Sequence, residues 1–404
     1  MNDLKISIAI PYKRRLHNIK IVLASLADQT MDASEFEVIV GAMEYSPEYV
    51  AACAEFAGRL NLVSVMVDEE WNFSRARNLA LRHASGEIIL VLDADMALPS
   101  NMLQTLYDRH FADQQNVCVL GQMIGYSYDM ITNGVASVEE LPYDHYRGVL
   151  AELESMGSVW TDERCRLAAS PTPWTMVFAA MVALPAATVR RHGLMFDEAF
   201  RGWGAEDQEW GYRIHRTGTP IILADDVYGL HLPHLRTASR DLPSLARNKG
   251  YFLAKWPSFE VELFRKYDLD TGLRLYLDLV RELAAVVPDP GHTLGIVRGT
   301  VDGAAVVAIG AVLDEKSRVR DPAVTALFDV GSPLEVLPLV GIALPYSDKS
   351  IHECRILPSI GRLSAQFRDA VSNEAARVAH ATVQQPLPDH EIAAGHVIAD
   401  SAVR

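Results

Sequence analysis

The first 95 residues alternate apolar segments with amphipathic ones, and this alternation constrains the fold more than any other feature of the sequence. Strand–helix units of this length favour a mostly parallel sheet with right-handed crossovers. We therefore predict an α/β fold in which ligands bind beyond the carboxyl ends of the strands. The predicted strands cover residues 6–10, 36–40, 62–67 and 87–92, and the predicted helices cover residues 19–26, 47–60 and 74–84, the last with Ser74 as its N-cap.

The rest of the chain has a weaker pattern. Residues 111–170 show no clear period, and the pattern changes again after about Pro257. We place a domain boundary there, with a catalytic domain at 1–257 and a smaller, partly helical accessory domain at 258–404. Further predicted elements are strands at 178–184, 221–223 and 227–231, helices at 205–217, 270–287 and 360–378, a core segment at 301–313 and a poorly ordered end from about residue 384.

Charge and cysteine content exclude several classes of protein. The chain of 404 residues has 52 acidic and 37 basic side chains, a net charge of −15. Nucleic acid and anionic membranes are therefore not expected partners, because binding phosphates needs concentrated Lys and Arg. The four cysteines, Cys53, Cys118, Cys165 and Cys354, are too scattered for a zinc site or a disulfide framework. With no signal peptide and no predicted transmembrane segment, we expect a cytoplasmic protein.

Asp93 and Asp95 directly follow the most apolar predicted strand. Acidic-x-acidic pairs are common in a chain with this many carboxylates, so their position carries more information than their spacing. A carboxylate at the end of a buried strand is costly unless it has a partner. A divalent cation, Mn²⁺ or Mg²⁺, is a suitable partner and would bridge a substrate diphosphate. A solvated turn at the strand end is the alternative.

The segment Arg-Gly-Trp-Gly-Ala-Glu-Asp at 201–207 leads into a predicted helix. Its glycines permit a tight turn. Glu206 and Asp207 then lie in the first helical turn, where the helix dipole favours ionised carboxylates. An ionised carboxylate suits a general base, and Trp203 could stack on a sugar face. The alternative is an ordinary acidic helix start, with Glu209 paired to Arg213 four residues later.

His231 and His234 follow another predicted strand. A single histidine is more often structural than a metal ligand. For two histidines close to a suspected metal site, the structural role and the ligand role are about equally favoured. Imidazole is an acceptable Mn²⁺ ligand beside carboxylates.

A basic cluster follows the first strand, in residues 11–15. At the carboxyl end of a strand this cluster could meet phosphates, with Tyr12 beside a nucleobase. A solvated basic loop is the alternative. The sequence has no P-loop, no G-x-G-x-x-G after the first strand, no H-E-x-x-H and no G-x-S-x-G, so the enzyme classes with those signatures are not indicated.

Taken together, the motifs resemble the inverting family-two glycosyltransferases of the GT-A class, including β-1,4-galactosyltransferases and bacterial chondroitin polymerases. The resemblance covers roughly residues 5–240, and five short motifs in the same order are specific as a set. The matching segments are residues 10–15, 72–80, 91–95, 202–207 and 228–231.

The resemblance implies a role for each motif. Asp95 and His231 would bind the metal together with Asp93, with His234 a weaker candidate. Trp203 and Glu206 would shape the acceptor pocket, and Glu206 would also be a catalytic residue together with Asp207. The residues expected to contact the donor are Pro11, Tyr12, Arg15, Arg75, Asn78 and Asp93.

The resemblance also implies the reaction. Asp207 would deprotonate the acceptor hydroxyl in a single displacement with inversion, since the related retaining enzymes have Asn at this position. The donor would be a nucleotide-diphosphate sugar, UDP-linked, carrying a hexose or an N-acetylhexosamine. The acceptor would be a carbohydrate or a glycosylated small molecule.

Two departures from the family pattern leave questions open. The residues around Arg14 differ from those of the galactosyltransferases, so the base preference is not fixed. The region after Pro257 matches no family that we recognise, and acceptor binding, homo-oligomer formation and attachment to a partner all stay open for it.

Two other functions remain as alternatives. A sugar nucleotidyltransferase would share the sheet and the metal carboxylates, but it would need a glycine-rich phosphate loop, and residues 11–15 contain no glycine. A non-catalytic carbohydrate-binding or scaffold protein is disfavoured by the intact Asp93, Asp95 and Asp207.

Overall fold

The computed structural model describes residues 4–125, 139–157, 162, 164, 170–234 and 238–386. The chain divides into two compact units, Met1–Lys249 and Gly250–Arg404. The end that was predicted to be poorly ordered, from about residue 384, lies almost entirely outside the described residues.

The described part of the first unit contains an eight-stranded sheet with the order β3-β2-β1-β4-β7-β6-β8-β5. Strands β3, β2, β1 and β4 are parallel to one another, and β7 is antiparallel to both β4 and β6. This arrangement confirms the α/β class. The strands are β1 (Ile6–Tyr12), β2 (Phe36–Ala42), β3 (Leu62–Met66), β4 (Ile88–Leu92), β5 (Met96–Ala97), β6 (Cys118–Ile124), β7 (Met181–Pro185) and β8 (Ile221–His231).

Helices follow the strands as the apolar spacing predicts. Where a cap is visible, it comes from the residue before the helix: Asn72, not the predicted Ser74, accepts a hydrogen bond from the backbone N–H of Arg75 at 3.0 Å. The helices of this unit are α1 (Leu16–Ala27), α2 (Pro47–Phe56), α3 (Phe73–Leu81), α4 (Met102–His110), α5 (Tyr143–Met156), α6 (Ala186–His192) and α7 (Glu206–Arg216), followed by α8 (Ala238–Lys255), which continues past the unit boundary.

Two parts of this unit differ from the prediction. Residues 111–170 were expected to be irregular, yet they contain β6 and α5, and β6 is nearly all buried although Gly121 and Gln122 interrupt its apolar run. The two strands predicted between residues 221 and 231 are one strand, β8. Asp225 and Asp226 broke the apolar pattern there because they are only partly buried, and the register with β6 shifts beside them.

The second unit has a five-stranded sheet in its described residues, with the order β11-β9-β10-β12-β13. The predicted long helix at 270–287 is confirmed as α10, whereas residues 360–378 begin with a 3₁₀ turn before α12. The strands were not predicted as such, apart from the core segment that forms most of β10. The elements are α9 (Phe259–Lys266), α10 (Leu269–Val286), β9 (Thr293–Val301), β10 (Ala304–Leu313), α11 (Pro322–Thr325), β11 (Glu335–Leu337), β12 (Ile351–Ile356), α12 (Ala365–Val378) and β13 (Ala379–Gln384).

Across the residues that the structure describes, no helix combines the length and the apolar character needed to cross a bilayer.

Candidate functional site

The end of β4 and the end of β8 meet at one edge of the sheet. The chain turns after β4 and forms the short strand β5, which pairs antiparallel with β8 so that Met96 lies opposite His231. The backbone N–H of Leu232 donates to the carbonyl oxygen of Asp95 at 2.7 Å. This pairing brings the second acidic residue of the Asp-Ala-Asp motif beside the two histidines.

Asp95, His231 and His234 form a group suited to a divalent cation. Each offers a ligand atom, and these atoms all lie within 4.8 Å of one another. Nδ1 of His234 is 3.2 Å from Oδ2 of Asp95, and Nε2 of His231 is 4.0 Å from Oδ1. The Asp95 side chain is only 3% exposed, and a buried carboxylate needs a positive partner. One carboxylate and two imidazoles fit Mn²⁺ well, so the residues present suit the metal that the motifs imply.

The structure distributes the predicted ligands differently from the sequence analysis. His234 was the weaker candidate, yet its ring nitrogen is the closer of the two to Asp95. Asp93 lies outside the group, and its Oδ1 instead accepts a hydrogen bond from Nη2 of Arg77 at 3.1 Å.

Arg15 adds a positive charge at the same edge. It is the N-cap residue of α1, and its guanidinium forms an ion pair with Oδ2 of Asp95 while remaining 35% exposed. A partly exposed guanidinium at a helix N-terminus is well suited to a phosphate group. The predicted donor role of Arg15 therefore has a fitting position.

The Gly-Trp-Gly-Ala turn takes an unusual backbone path before α7. Gly202, Gly204 and Ala205 have φ angles of 74°, 95° and 69°, all in the left-handed region. The first two positions need glycine for a second reason, because a Cβ at Gly202 would lie 2.7 Å from Cβ of Ser244, and one at Gly204 would lie 2.7 Å from Leu245.

Helix α8 fixes this turn through side-chain hydrogen bonds. The backbone N–H of Trp203 donates to Oγ of Ser244 at 3.0 Å. Nδ2 of Asn248 donates to the carbonyl oxygens of Arg201 and Gly204 at 3.1 and 2.9 Å. The polar side chains of α8 thus hold the turn that sets the start of α7.

Glu206 and Asp207 open α7, as predicted. Glu206 is 4% exposed, and its Oε1 accepts from Nη1 of Arg77 at 3.1 Å. Burial, reinforced by the neighbouring Glu206 charge, raises the pKa of Asp207 to about 8. A carboxyl whose pKa lies near neutral pH can act as a general base. The predicted ion pair of Glu209 with Arg213 is present, with Nε 2.9 Å from Oε1.

Two predicted donor residues lie in the core. Pro11 is buried, and Tyr12 is 1% exposed and stacks on Tyr49 with ring centroids 4.2 Å apart. The ring of Tyr12 therefore has no exposed face to offer a nucleobase. The sequence could not distinguish these roles, because the residue at the end of a strand can point into the core or out of it.

Arg75 and Asn78 are engaged with other partners. Arg75 forms ion pairs with Glu69 and Glu198. Nδ2 of Asn78 donates to the carbonyl oxygen of Phe196 and to Glu198, both at 2.9 Å, while its Oδ1 accepts from the N–H of Phe196. Through these bonds Asn78 ties α3 to the segment before α7, and its contact with the donor stays a prediction.

The comparisons with known proteins indicate a family for part of the chain. The family described as Glycosyl transferase family 2 matches residues 7–157. The chain is 30% identical over 268 residues to a validoxylamine A glucosyltransferase of Streptomyces hygroscopicus subsp. jinggangensis, covering 64% of this chain and 63% of that protein. It is 31% identical over 228 residues to a chondroitin synthase of Escherichia coli, covering 53% of this chain and 32% of that protein. The chain thus spans less than two thirds of the length of these relatives.

Among solved structures, S. aureus TarS 1–349 in complex with UDP-GlcNAc is similar at 16% identity, with a TM-score of 0.45, over 70% of this chain and 79% of that one.

Residues 7–157 are therefore a domain of glycosyl transferase family 2, and the resemblance drawn from the motifs is confirmed at the level of the family.

Proposed function

We propose that this chain, with its family 2 glycosyltransferase domain, transfers a sugar from a nucleotide-diphosphate sugar to an acceptor hydroxyl with inversion at the anomeric carbon. One observation carries the proposal: Arg77 bonds both Asp93, two residues before Asp95 of the candidate metal group, and Glu206, which precedes Asp207. The residues suited to a diphosphate and the residues suited to a general base therefore belong to one connected site.

The donor half of the site consists of Asp95, His231, His234 and Arg15. The first three would hold Mn²⁺ or Mg²⁺, which would neutralise charge on the diphosphate leaving group. Arg15 would add a hydrogen-bonding positive charge beside it. We propose a UDP-linked hexose or N-acetylhexosamine as the donor, following the motif resemblance.

The acceptor half consists of Trp203, Glu206 and Asp207. Asp207 would accept the proton of the acceptor hydroxyl while the oxygen attacks the anomeric carbon, and the bond from that carbon to the diphosphate oxygen would break with its electron pair. A single displacement of this kind inverts the anomeric configuration. Trp203 would stack on the acceptor ring, and its backbone is held by Ser244.

The names of the relatives support a carbohydrate or a glycosylated small molecule as the acceptor. One relative is named for glucosyl transfer to validoxylamine A and another for chondroitin synthesis. A turn that presents a tryptophan beside two carboxylates suits such an acceptor.

The test is a transfer assay with purified protein, Mn²⁺, a panel of UDP- and GDP-sugars and a panel of mono- and oligosaccharide acceptors. We expect release of the nucleoside diphosphate that depends on the acceptor. We also expect NMR of the product to show an anomeric configuration opposite to that of the donor. A product with retained configuration would contradict the mechanism. Pyrophosphate release from a nucleoside triphosphate and a sugar phosphate would instead support the nucleotidyltransferase alternative.

A further inference from the structure

Arg77 lies at the centre of the site but matches none of the roles that the motifs assign. It is on α3, and its side chain is 3% exposed. Nη2 is 3.1 Å from Oδ1 of Asp93 at the end of β4, and Nη1 is 3.1 Å from Oε1 of Glu206 at the start of α7. One guanidinium therefore joins three elements of the fold.

Aromatic rings complete the surroundings of this guanidinium. Its central carbon is 5.1 Å from the ring centroid of Phe196 and 5.5 Å from that of Phe73. An arginine so enclosed is costly to bury, and buried ion pairs are weak contributors to stability compared with apolar side chains of similar size. The cost indicates a role in the site beyond stabilising the fold.

The hydrogen bonding of this group is also incomplete. Among the described residues, Nε of Arg77 and Oε2 of Glu206 are buried polar atoms without a hydrogen-bond partner. Most buried polar atoms in proteins are paired, and an unpaired one needs an explanation such as a catalytic role or a bound ion or water. A purely structural ion pair would be expected to satisfy these atoms.

The charges around Arg77 are unequal. Three carboxyl groups, those of Asp93, Glu206 and Asp207, interact electrostatically with this one guanidinium. The groups that act on Asp207 are Glu206 on its own helix, Arg77 on α3, and the backbone N–H groups of Gln208 and Ala179. Arg77 is the cation among them, so it opposes the repulsion that Glu206 exerts on the ionised base.

We propose that Arg77 is a positioning residue that holds the donor-side carboxylate Asp93 and the acceptor-side pair Glu206 and Asp207 in one arrangement and supplies the positive charge that favours the ionised base. This inference rests on the proposed function, since it assigns Asp207 the role of base. Two properties of Arg77 are involved, its two-armed geometry and its charge. Lysine keeps the charge but cannot bond both carboxylates with a planar fork, and glutamine loses the charge.

The experiment compares Arg77→Gln, Arg77→Lys and the control Arg82→Gln, which removes a half-exposed arginine near the end of the same helix. For each, kcat/KM for the acceptor is measured across pH at saturating donor, and UDP binding with Mn²⁺ is measured by calorimetry to show that the donor half is intact. Loss of the positive charge favours protonated Asp207, so the rising limb of the profile must move to higher pH.

We expect Arg77→Gln to move that limb upward by about one pH unit or more, which corresponds to a roughly tenfold change in the ionisation equilibrium. Arg77→Lys should leave the limb in place and lower kcat, and this variant decides the question if Arg77→Gln fails to fold. Arg82→Gln should match the wild type.

A limb that stays at the wild-type pH in folded Arg77→Gln, or wild-type kcat in Arg77→Lys, would overturn the proposal. Neither result would affect the proposed function, which fails if the wild-type protein transfers no sugar or transfers it with retained configuration.

Discussion

Nδ1 of His234 lies 3.2 Å from Oδ2 of Asp95, although the two residues are far apart in the sequence. The pairing of β5 with the end of β8 produces this proximity. Two imidazoles beside one buried carboxylate make a site where a cation would replace the solvation that burial removes.

The first prediction concerns metal affinity. His234→Ala and His231→Ala should each weaken Mn²⁺ binding by at least roughly tenfold, because even residues that only support metal ligands contribute 10- to 100-fold. Mn²⁺ titration in the presence of UDP measures this. His110→Ala is a suitable control, since His110 pairs with Asp226 and not with the group around Asp95. Unchanged Mn²⁺ affinity in both variants would show that neither histidine is a metal ligand.

The second prediction concerns pH. Burial and the neighbouring Glu206 raise the pKa of Asp207 to about 8. The base must be ionised to accept a proton, so kcat/KM should be low below this pKa, rise with pH through about 8 and then level off. The profile of kcat/KM for the acceptor at saturating donor is the right measurement, because it reports ionisation in the enzyme before the acceptor binds. A profile without a rising limb near this pH would show that Asp207 is not the base or that it ionises elsewhere.

The third prediction separates catalysis from donor binding. Asp207→Asn keeps the shape of the side chain but cannot accept the proton, so kcat should fall by about 10²- to 10⁴-fold. The dissociation constant for UDP with Mn²⁺ should stay the same, because the donor half of the site is unchanged. Asp113→Asn, in an exposed loop, serves as the control. Substantial transfer by Asp207→Asn would assign the base to another residue.

The fourth prediction concerns the turn before α7. Asn248→Ala removes the amide that donates to the carbonyl oxygens of Arg201 and Gly204, although the oxygen of Arg201 keeps its hydrogen bond from Arg247. The free energy of unfolding should therefore fall by about 1–3 kcal/mol. The displaced turn should also raise KM for the acceptor while leaving UDP affinity unchanged. Chemical denaturation and steady-state kinetics test the two effects, with Gln104→Ala on the surface of α4 as the control. Equal loss of donor and acceptor binding would contradict a role confined to the acceptor side.

Much of the first half of the fold was predictable from the sequence. The spacing of Ile19, Val22 and Leu23 identifies α1, and the apolar run before Asp93 identifies β4. These signals are local, because the apolar pattern of a helix face or of a buried strand is formed by residues that are close together in the sequence. The β-strands of the second unit and β6 were missed, since their apolar residues are interrupted by Gly and polar side chains that only the neighbouring strands explain.

The site was predictable where a motif lies at the end of a strand and unpredictable where side-chain direction decides. Asp95, His231 and Asp207 were selected by position, and the structure places them in fitting surroundings. Tyr12 was selected by the same reasoning, yet its ring turns into the core. Arg77 was overlooked because an arginine on a short helix normally lies in solvent. Its neighbours Ala76 and Ala80, both buried, were the available signal that this face of α3 points inward.

The most direct test of the account is calorimetric titration of UDP into the wild-type protein and Asp95→Ala, each with and without Mn²⁺. We predict that the wild type binds UDP only when Mn²⁺ is present, and that Asp95→Ala does not gain affinity from the metal. Binding of GDP in preference to UDP would support the same site but would indicate a GDP-linked sugar as the donor. UDP binding that is equally strong without Mn²⁺ and in Asp95→Ala, or no binding of either nucleotide to folded protein, would contradict a metal-dependent nucleotide-sugar site at Asp95.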